Sequence, residues 1–188
     1  MTEPSGKIVV ISGPSGVGKS TICHRLCARL PGEFSVSVTT RPRRANEAGA
    51  RDYHYISRDE FIHMRDEGKL LEWAEVYGQM YGTPLEPVEQ AVESGRTIIL
   101  EIDIQGCIQV RGKVPTARTF FLLPPTPDEQ RRRIEGRATD PTDVIRERLS
   151  KADGEIRYAS ESACYDEFIV NDDLDGTVEK IFSKIKGR

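Results

Sequence analysis

Between Gly13 and Ser20 the chain reads Gly-Pro-Ser-Gly-Val-Gly-Lys-Ser, which fits the pattern G-x-x-x-x-G-K-S/T at every specified position. An apolar, strand-like run from Ile8 to Ile11 leads into it. An amphipathic segment from Thr21 to Leu30 leads out, with Ile22, Leu26 and Leu30 on one helical face. A strand that breaks into a glycine loop and re-enters as a helix makes a phosphate cradle. The glycines let backbone N–H groups turn inward, the helix N-terminus adds positive potential, and Lys19 supplies a mobile cation. A chance glycine-rich turn would not bring Lys19, Ser20 and both flanks together. The segment implies a bound nucleoside triphosphate and leaves open what is done with it.

At 188 residues the chain is expected to form one globular unit with a real core, with room for mobile sub-domains. A net charge of -3 argues against bulk nucleic-acid binding. The basic residues are nevertheless clustered, from Arg41 to Arg51 and from Arg131 to Arg148, which suggests small polyanionic ligands. No run has the apolar length of a membrane span, and Met1 to Gly6 does not resemble a signal peptide, so a cytoplasmic location is expected. Cys23, Cys27, Cys107 and Cys164 show no C-x-x-C spacing, and Cys23 with Cys27 cannot close a zinc site, so all are read as reduced packing thiols. His24 and His63 fall in helical segments and are read equally plainly.

Along the chain, Pro31-Gly32 ends the first helix and Phe34 to Val38 alternates as one strand. A basic loop with breakers follows, from Thr39 to Arg51, then a short aromatic strand, Tyr53 to Ile56. Ser57-Arg58-Asp59-Glu60 fits a capping box that opens a helix ending near Gly68. Leu70 to Val76 reads as a strand, Tyr77 to Met80 as a turn, Tyr81 to Thr83 as the return, and Pro84 onward as a helix ending at Ser94-Gly95. Thr97 to Asp103 has the continuous apolar character of a central parallel strand, with Glu101 and Asp103 at its end. Thr119 to Leu123 is a second such strand, Asp128 to Ser160 is charged and helical, Phe168 to Val170 is a last strand, and Leu174 to Ile185 a closing helix. Strands near 8, 98, 120 and 168 separated by helical patterns predict an α/β fold, a parallel sheet with helices on both faces. Phe34 to about Pro87 and Asp128 to Ser160 read as insertions on that core.

A phosphate cradle serves ATPases, GTPases and kinases alike. A GTPase would pair it with a guanine-reading N-K-x-D, and the nearest string, Asn171-Asp172-Asp173, lacks the lysine. A kinase of small anionic acceptors needs a second anion site and movable cations around the transferred group. Arg131, Arg132 and Arg133 read as a solvated helix face. Arg41 and Arg44 sit in a loop beside hydroxyls and tyrosines that also grip phosphate.

Ser35 to Arg44 with Arg51 to Tyr55 resembles the acceptor-binding segment of the guanylate kinase family. The strings Leu71 to Val76, Tyr81 to Thr83, Glu101 to Gly106, Glu135 to Arg137 and Ile169 to Asp173 resemble it too, in order along almost the whole chain. The resemblance implies a P-loop NTPase-type three-layer α/β/α fold with a core of 1–33, 88–126 and 161–188. It further implies a GMP-binding region over 34–87 and a helical lid over 127–160. It implies ATP contacts from Gly13, Pro14, Ser15, Gly16, Val17, Gly18, Lys19, Ser20 and Thr21, with Asn171 on the adenine side. Ser37, Glu72, Thr83 and Asp103 would meet guanine, and Arg41, Arg44, Tyr53 and Tyr81 the GMP phosphate. Lys19, Arg41, Arg137 and Arg148 would surround the transferring phosphoryl group, and Mg²⁺ accompanying ATP would meet Ser20 and Glu101, or Asp103.

The chemistry of Glu72 agrees independently. Guanine presents N1–H and N2–H₂ as adjacent donors, which one carboxylate accepts as a pair. Adenine would offer the same carboxylate a lone pair, and a site built on hydrogen bonds rejects such an analogue by up to ~10⁴–10⁵-fold. The bland alternative for Glu72 is a solvated acid on an edge strand. Glu101 stands where some family members carry aspartate, and Thr83 where some carry serine. Two other functions fit the same architecture: a kinase of AMP, dTMP or UMP, and a non-catalytic module that binds phosphopeptides at the acceptor site. Glu72 with Ser37 argues against the first and the intact phosphate loop against the second. The expected reaction is ATP + GMP = ADP + GDP, with dGMP a further acceptor and no nucleic-acid or membrane partner. Nothing in the sequence sets an oligomeric state.

Overall fold

The apolar run ahead of the glycine loop becomes β1 (Lys7–Ser12), buried at every residue but the first. The structure is a computed structural model that describes residues 6–43, 53–76, 78–135 and 142–187, with backbone alone for 142–149. β1 lies in the middle of a five-stranded sheet of β2 (Gly32–Phe34), β7 (Thr97–Glu101), β1, β8 (Arg118–Leu123) and β9 (Glu167–Val170), in that order. Every pairing in it is parallel. All strands therefore end at one edge of the sheet, where open α/β sheets bind their ligands. Ile11 pairs with Glu101 on one side and Phe120 on the other, so Glu101 reaches that edge level with the start of the phosphate loop.

Adjacent residues of β1 point to opposite faces and seed two cores. Val10, Ile98, Leu100 and Phe121 pack with α3 (Leu85–Glu93), α4 (Ile104–Lys113) and Ala159 of α6 (Thr142–Glu161). Val9, Ile11, Ile99 and Phe120 pack with Ile22, Cys23 and Leu26 of α1 (Lys19–Arg29) and Val178, Ile181 and Ile185 of α7 (Leu174–Ile185). This is the expected three-layer α/β/α arrangement.

A second sheet of four strands, in the order β4 (His54–Tyr55), β3 (Val38–Thr39), β6 (Gln79–Pro84), β5 (Leu70–Val76), packs on α2 (Arg58–Asp66) through Val38, Phe61, Leu70 and Met80. The N-cap half of the expected box forms, with Ser57 Oγ accepting from Glu60 N, and Gly68 takes up positive φ just past the helix. The free edge of β5 is covered by α4 side chains rather than another strand. Gln109 Nε2 donates to Trp73 O (2.6 Å) while Trp73 N donates to Gln109 Oε1 (3.2 Å), and Lys113 Nζ donates to Leu71 O.

Three expectations are corrected. Phe34 to Val38 is not one strand. Phe34 pairs with Ile99 in the parallel sheet, Ser35 N still donates to Ile99 O, and Val38 pairs with Gly82 in the other sheet. The alternation of side chains runs on through the crossing, so periodicity does not mark it, and the main sheet gains β2 as a fifth strand. The run from Thr97 to Asp103 ends as a strand at Glu101, because Asp103 turns to cap α4, accepting from Gly106 N at 2.8 Å. The turn expected over Tyr77 to Met80 gives way at Gln79, which with Met80 already pairs in β6 opposite Val76 and Glu75, while α4 fills the helical pattern expected between the strands near 98 and 120. The cysteines are all free, and His24 and His63 sit in α1 and α2.

Candidate active site

The phosphate loop turns on Gly13, Gly16 and Gly18, all at positive φ. At Gly16 a Cβ would lie 2.5 Å from Ile134 Cγ1, so glycine is needed there for space as well as for backbone angle. Gly18 opens α1 in the left-handed region with no side-chain cap, and no acid occupies the helix's first turn. The amides and the positive end of α1 are thus left facing the loop. Lys19 folds back over it, donating from Nζ to Gly13 O (2.6 Å) and Pro14 O (3.2 Å). Ser20 Oγ donates to Glu101 Oε1 at 3.0 Å.

The loop is held from the far side as well. Asn171, 4% exposed, donates from Nδ2 to Val17 O (2.8 Å), and its Oδ1 is buried without a partner among the described residues. Gln130 on α5 (Pro127–Glu135) donates from Nε2 to Ser15 O at 2.9 Å. Arg133, expected only to solvate the helix, instead donates to Asn171 O (3.2 Å) and pairs with Glu129; Arg131 and Arg132 are exposed as expected. Gln130 was missed by sequence reasoning. The one available signal was its place four residues before Ile134 on the buried stripe of α5.

A second cluster of polar side chains is built on the small sheet. Glu72 and Thr83 lie directly opposite on antiparallel β5 and β6. Thr83 Oγ1 donates to Glu72 Oε1 at 2.6 Å, and both side chains are sealed from solvent. Burial pushes the Glu72 carboxyl up to about 7, opposed by the Thr83 hydroxyl and reinforced by the Asp103 charge. Burial also raises Asp103, opposed by the backbone N–H groups of Gly106 and Gln105 and then by the Lys19 ammonium. Asp103 thus lies in the field of Lys19, and Glu72 in the fields of Asp103 and Lys113. Ser37 precedes Val38, whose partner is Gly82, so it stands at the Thr83 end of the small sheet. The bland reading of Glu72 as a solvated acid is excluded at 3% exposure.

Two residues before Thr83 on β6, Tyr81 turns its ring edge-on to Tyr53 at 5.9 Å. The Arg41 guanidinium lies over Tyr53 (5.5 Å) and Tyr55 (5.9 Å), a cation–π arrangement that holds the charge at this spot. Arg41 N donates to Thr39 Oγ1 and Nη1 to Pro42 O. Arg44 and Arg137 lie outside the described residues, as does the Arg148 side chain. Glu155 was also missed. It follows Ala152 and precedes Ile156 and Ala159 on the packed stripe of α6, is partly buried, and is raised by that burial with Lys19 and Asp103 both in its field.

A phosphate loop at the end of a parallel sheet, together with a second sheet that carries a buried acid and an arginine–tyrosine cluster, has the layout of a P-loop nucleotide-binding fold. Comparison with known proteins narrows that class. The profile of the family described as guanylate kinase matches residues 5–187. A guanylate kinase of Parasynechococcus marenigrum is 47% identical over 94% of this chain and 96% of its own length, and one of Desulfitobacterium hafniense 44% identical over 97% and 90%. The crystal structure of guanylate kinase from Anaplasma phagocytophilum superposes with a TM-score of 0.80 at 32% identity, covering 98% of this chain and 87% of that one. The chain belongs to the guanylate kinase family, a family of nucleotide kinases.

Proposed function

We propose that the chain transfers the γ-phosphoryl group of ATP to GMP, giving ADP and GDP, the reaction of its family. The observation that carries the choice of acceptor is the buried Glu72 carboxylate, held by Thr83 with Asp103 in its field. A buried acid of this kind demands partners that donate, and the N1–H and N2–H₂ edge of guanine supplies two. Ser37 adds a hydroxyl at the same end. Arg41, Tyr53 and Tyr81 form the cluster suited to the GMP phosphate, and Arg44 completes it by family resemblance. The segment 34–87 is the GMP-binding region on this reading, 127–160 the lid, and the remainder the core.

The donor occupies Gly13 to Thr21, with Asn171 on the adenine side. Mg²⁺ arrives with ATP as part of the donor, and the hard oxygens of Ser20 and Glu101 fit it. When bound it neutralises phosphate charge. Lys19, now resting on its own loop's carbonyls, exchanges Gly13 O and Pro14 O for phosphate oxygens and follows the transferring group. Because the attacking group is already an anionic phosphate, no strong general base is needed. Rate comes from in-line positioning and charge neutralisation by Lys19, Arg41, Arg137 and Arg148. Closure of the lid excludes water that would otherwise take the phosphoryl group. Among the described residues no helix is long and apolar enough to cross a membrane; we place the enzyme in the cytoplasm. Replacing Glu72 by Gln tests the reading: KM for GMP rises while KM for ATP holds, and equal changes in both would count against it.

A further inference from the structure

Glu72 does not reach its position through β5 alone. Its carboxylate rests on the first turn of α4 at Gly106. A Cβ at Gly106 would lie 2.3 Å from Glu72 Oε2 and 3.0 Å from its Cδ, with Ile102 Cβ at 3.4 Å. Ordinary contact begins near 3.4 Å, so any side chain at this position displaces the carboxylate by about 1 Å. The backbone of Gly106 is ordinary helix and its N–H is engaged with Asp103 Oδ1 at 2.8 Å, so no unusual φ calls for glycine here. What calls for it is the space taken by Glu72.

We infer that Gly106 is a specificity-determining positioning residue, a notch in α4 that seats the Glu72 carboxylate for the acceptor base. The seat has three sides. Thr83 fixes Oε1, the missing side chain of Gly106 admits Oε2, and the positive end of α4 offsets part of the cost of burying the charge. The displaced atoms are the free end of a flexible side chain rather than backbone. A substitution at Gly106 is therefore absorbed by moving Glu72, and the fold is kept. Misplacing a positioned group by about 1 Å costs on the order of 10²-fold in use of the ligand it orients. This inference rests on the reading of Glu72 as the guanine acceptor.

The test compares steady-state kinetics and thermal melting of Gly106→Ala, Glu72→Gln, and the control Gly112→Ala. Position 112 is on the same helix, where a Cβ meets open space. Expected are a rise of about tenfold or more in KM for GMP in Gly106→Ala, an ATP KM within about twofold of wild type, and melting no lower than wild type. Gly112→Ala leaves both KM values alone. In the double variant Gly106→Ala with Glu72→Asp, the acid retreats by one methylene and GMP use improves over Gly106→Ala alone. If Glu72→Gln raises the GMP KM and Gly106→Ala does not, the inference is overturned and the reading of Glu72 stands. If Glu72→Gln leaves the GMP KM unchanged, the reading falls and takes the inference with it. A parallel loss of both substrates with a lowered melting point makes Gly106 merely structural, and also overturns it.

Discussion

The Thr83 hydroxyl donates to Glu72 Oε1 at 2.6 Å across two antiparallel strands, and neither residue is more than 3% exposed. The hydroxyl and backbone of Thr83 together do not cancel the cost of burying this carboxylate, whose Oε2 lies against Gly106 of α4. The enzyme thus holds, before any ligand arrives, an acceptor whose cost of burial is relieved only by donors. A purine with a donor edge relieves it and one with a lone pair there does not.

The burial of Glu72 makes the ligand-free protein less stable as the pH rises. Its carboxyl is lifted from 4.5 to about 7, chiefly by desolvation. Between those values the native state keeps a proton that the unfolded chain has released, so stability falls through that window, by roughly 3 kcal/mol when complete. Glu72→Gln retains an acceptor for Thr83 without the charge. The variant should melt above wild type at pH 8, with the gap closing toward pH 5. A gap independent of pH contradicts this account of Glu72.

The same group ties GMP binding to protons. Guanine's two donors need the ionised carboxylate, so binding below about pH 7 must release a proton from Glu72. Titration calorimetry of GMP binding at pH 6.5, in buffers of differing ionisation enthalpy, should show that release in wild type and its loss in Glu72→Gln. Identical proton counts in the two proteins would refute it.

Asn171 sets a separate prediction for the donor side. Its Nδ2 holds Val17 O and lies where a Cβ on Gly18 would come within 2.8 Å. Asn171→Ala strands a buried carbonyl, which costs about 1–3 kcal/mol and should raise KM for ATP on the order of tenfold. Asn171→Asp turns the donor into a charge beside that carbonyl and should be worse than alanine. Initial rates with ATP and GMP varied in turn check both, and a shift confined to GMP rules the donor-side role out.

Ala163 offers a change expected to leave kinetics alone. It sits at φ 52 between α6 and β9, a conformation that costs a residue with a Cβ about 1–2 kcal/mol. Glycine removes that strain but loses about 0.5–1 kcal/mol in the unfolded chain. The middle of each range leaves about 0.75 kcal/mol, so Ala163→Gly should raise the melting temperature by about 1.5–3 °C. An unchanged or lower melting point would mean the turn is not strained.

Much of this was legible in the residues. The phosphate loop, the N-cap at Ser57, the run of β5 and the closing helix α7 each rest on local rules that no distant contact overrides. The corrections share a different origin. β2 and β3 belong to different sheets only because of what pairs with them, Ile99 and Gly82, each remote in sequence. Gln109 serves as an edge partner for Trp73 from α4, and Arg133 spends its charge on the Asn171 carbonyl; neither use leaves a mark on local periodicity. For the site, Glu72 stood out by chemistry and resemblance. Its seat on Gly106 appears only when α4 is packed against β5.

On the proposed function, the phosphate loop and the Glu72 cluster are the two halves of one phosphoryl-transfer site. The decisive measurement is ADP formation from ATP and Mg²⁺ with GMP, AMP, dTMP or UMP as acceptor. Turnover should require GMP, fall at least about 10³-fold with the other three, and be lost in Lys19→Ala. Comparable rates with AMP, or undiminished turnover in Lys19→Ala, would contradict it.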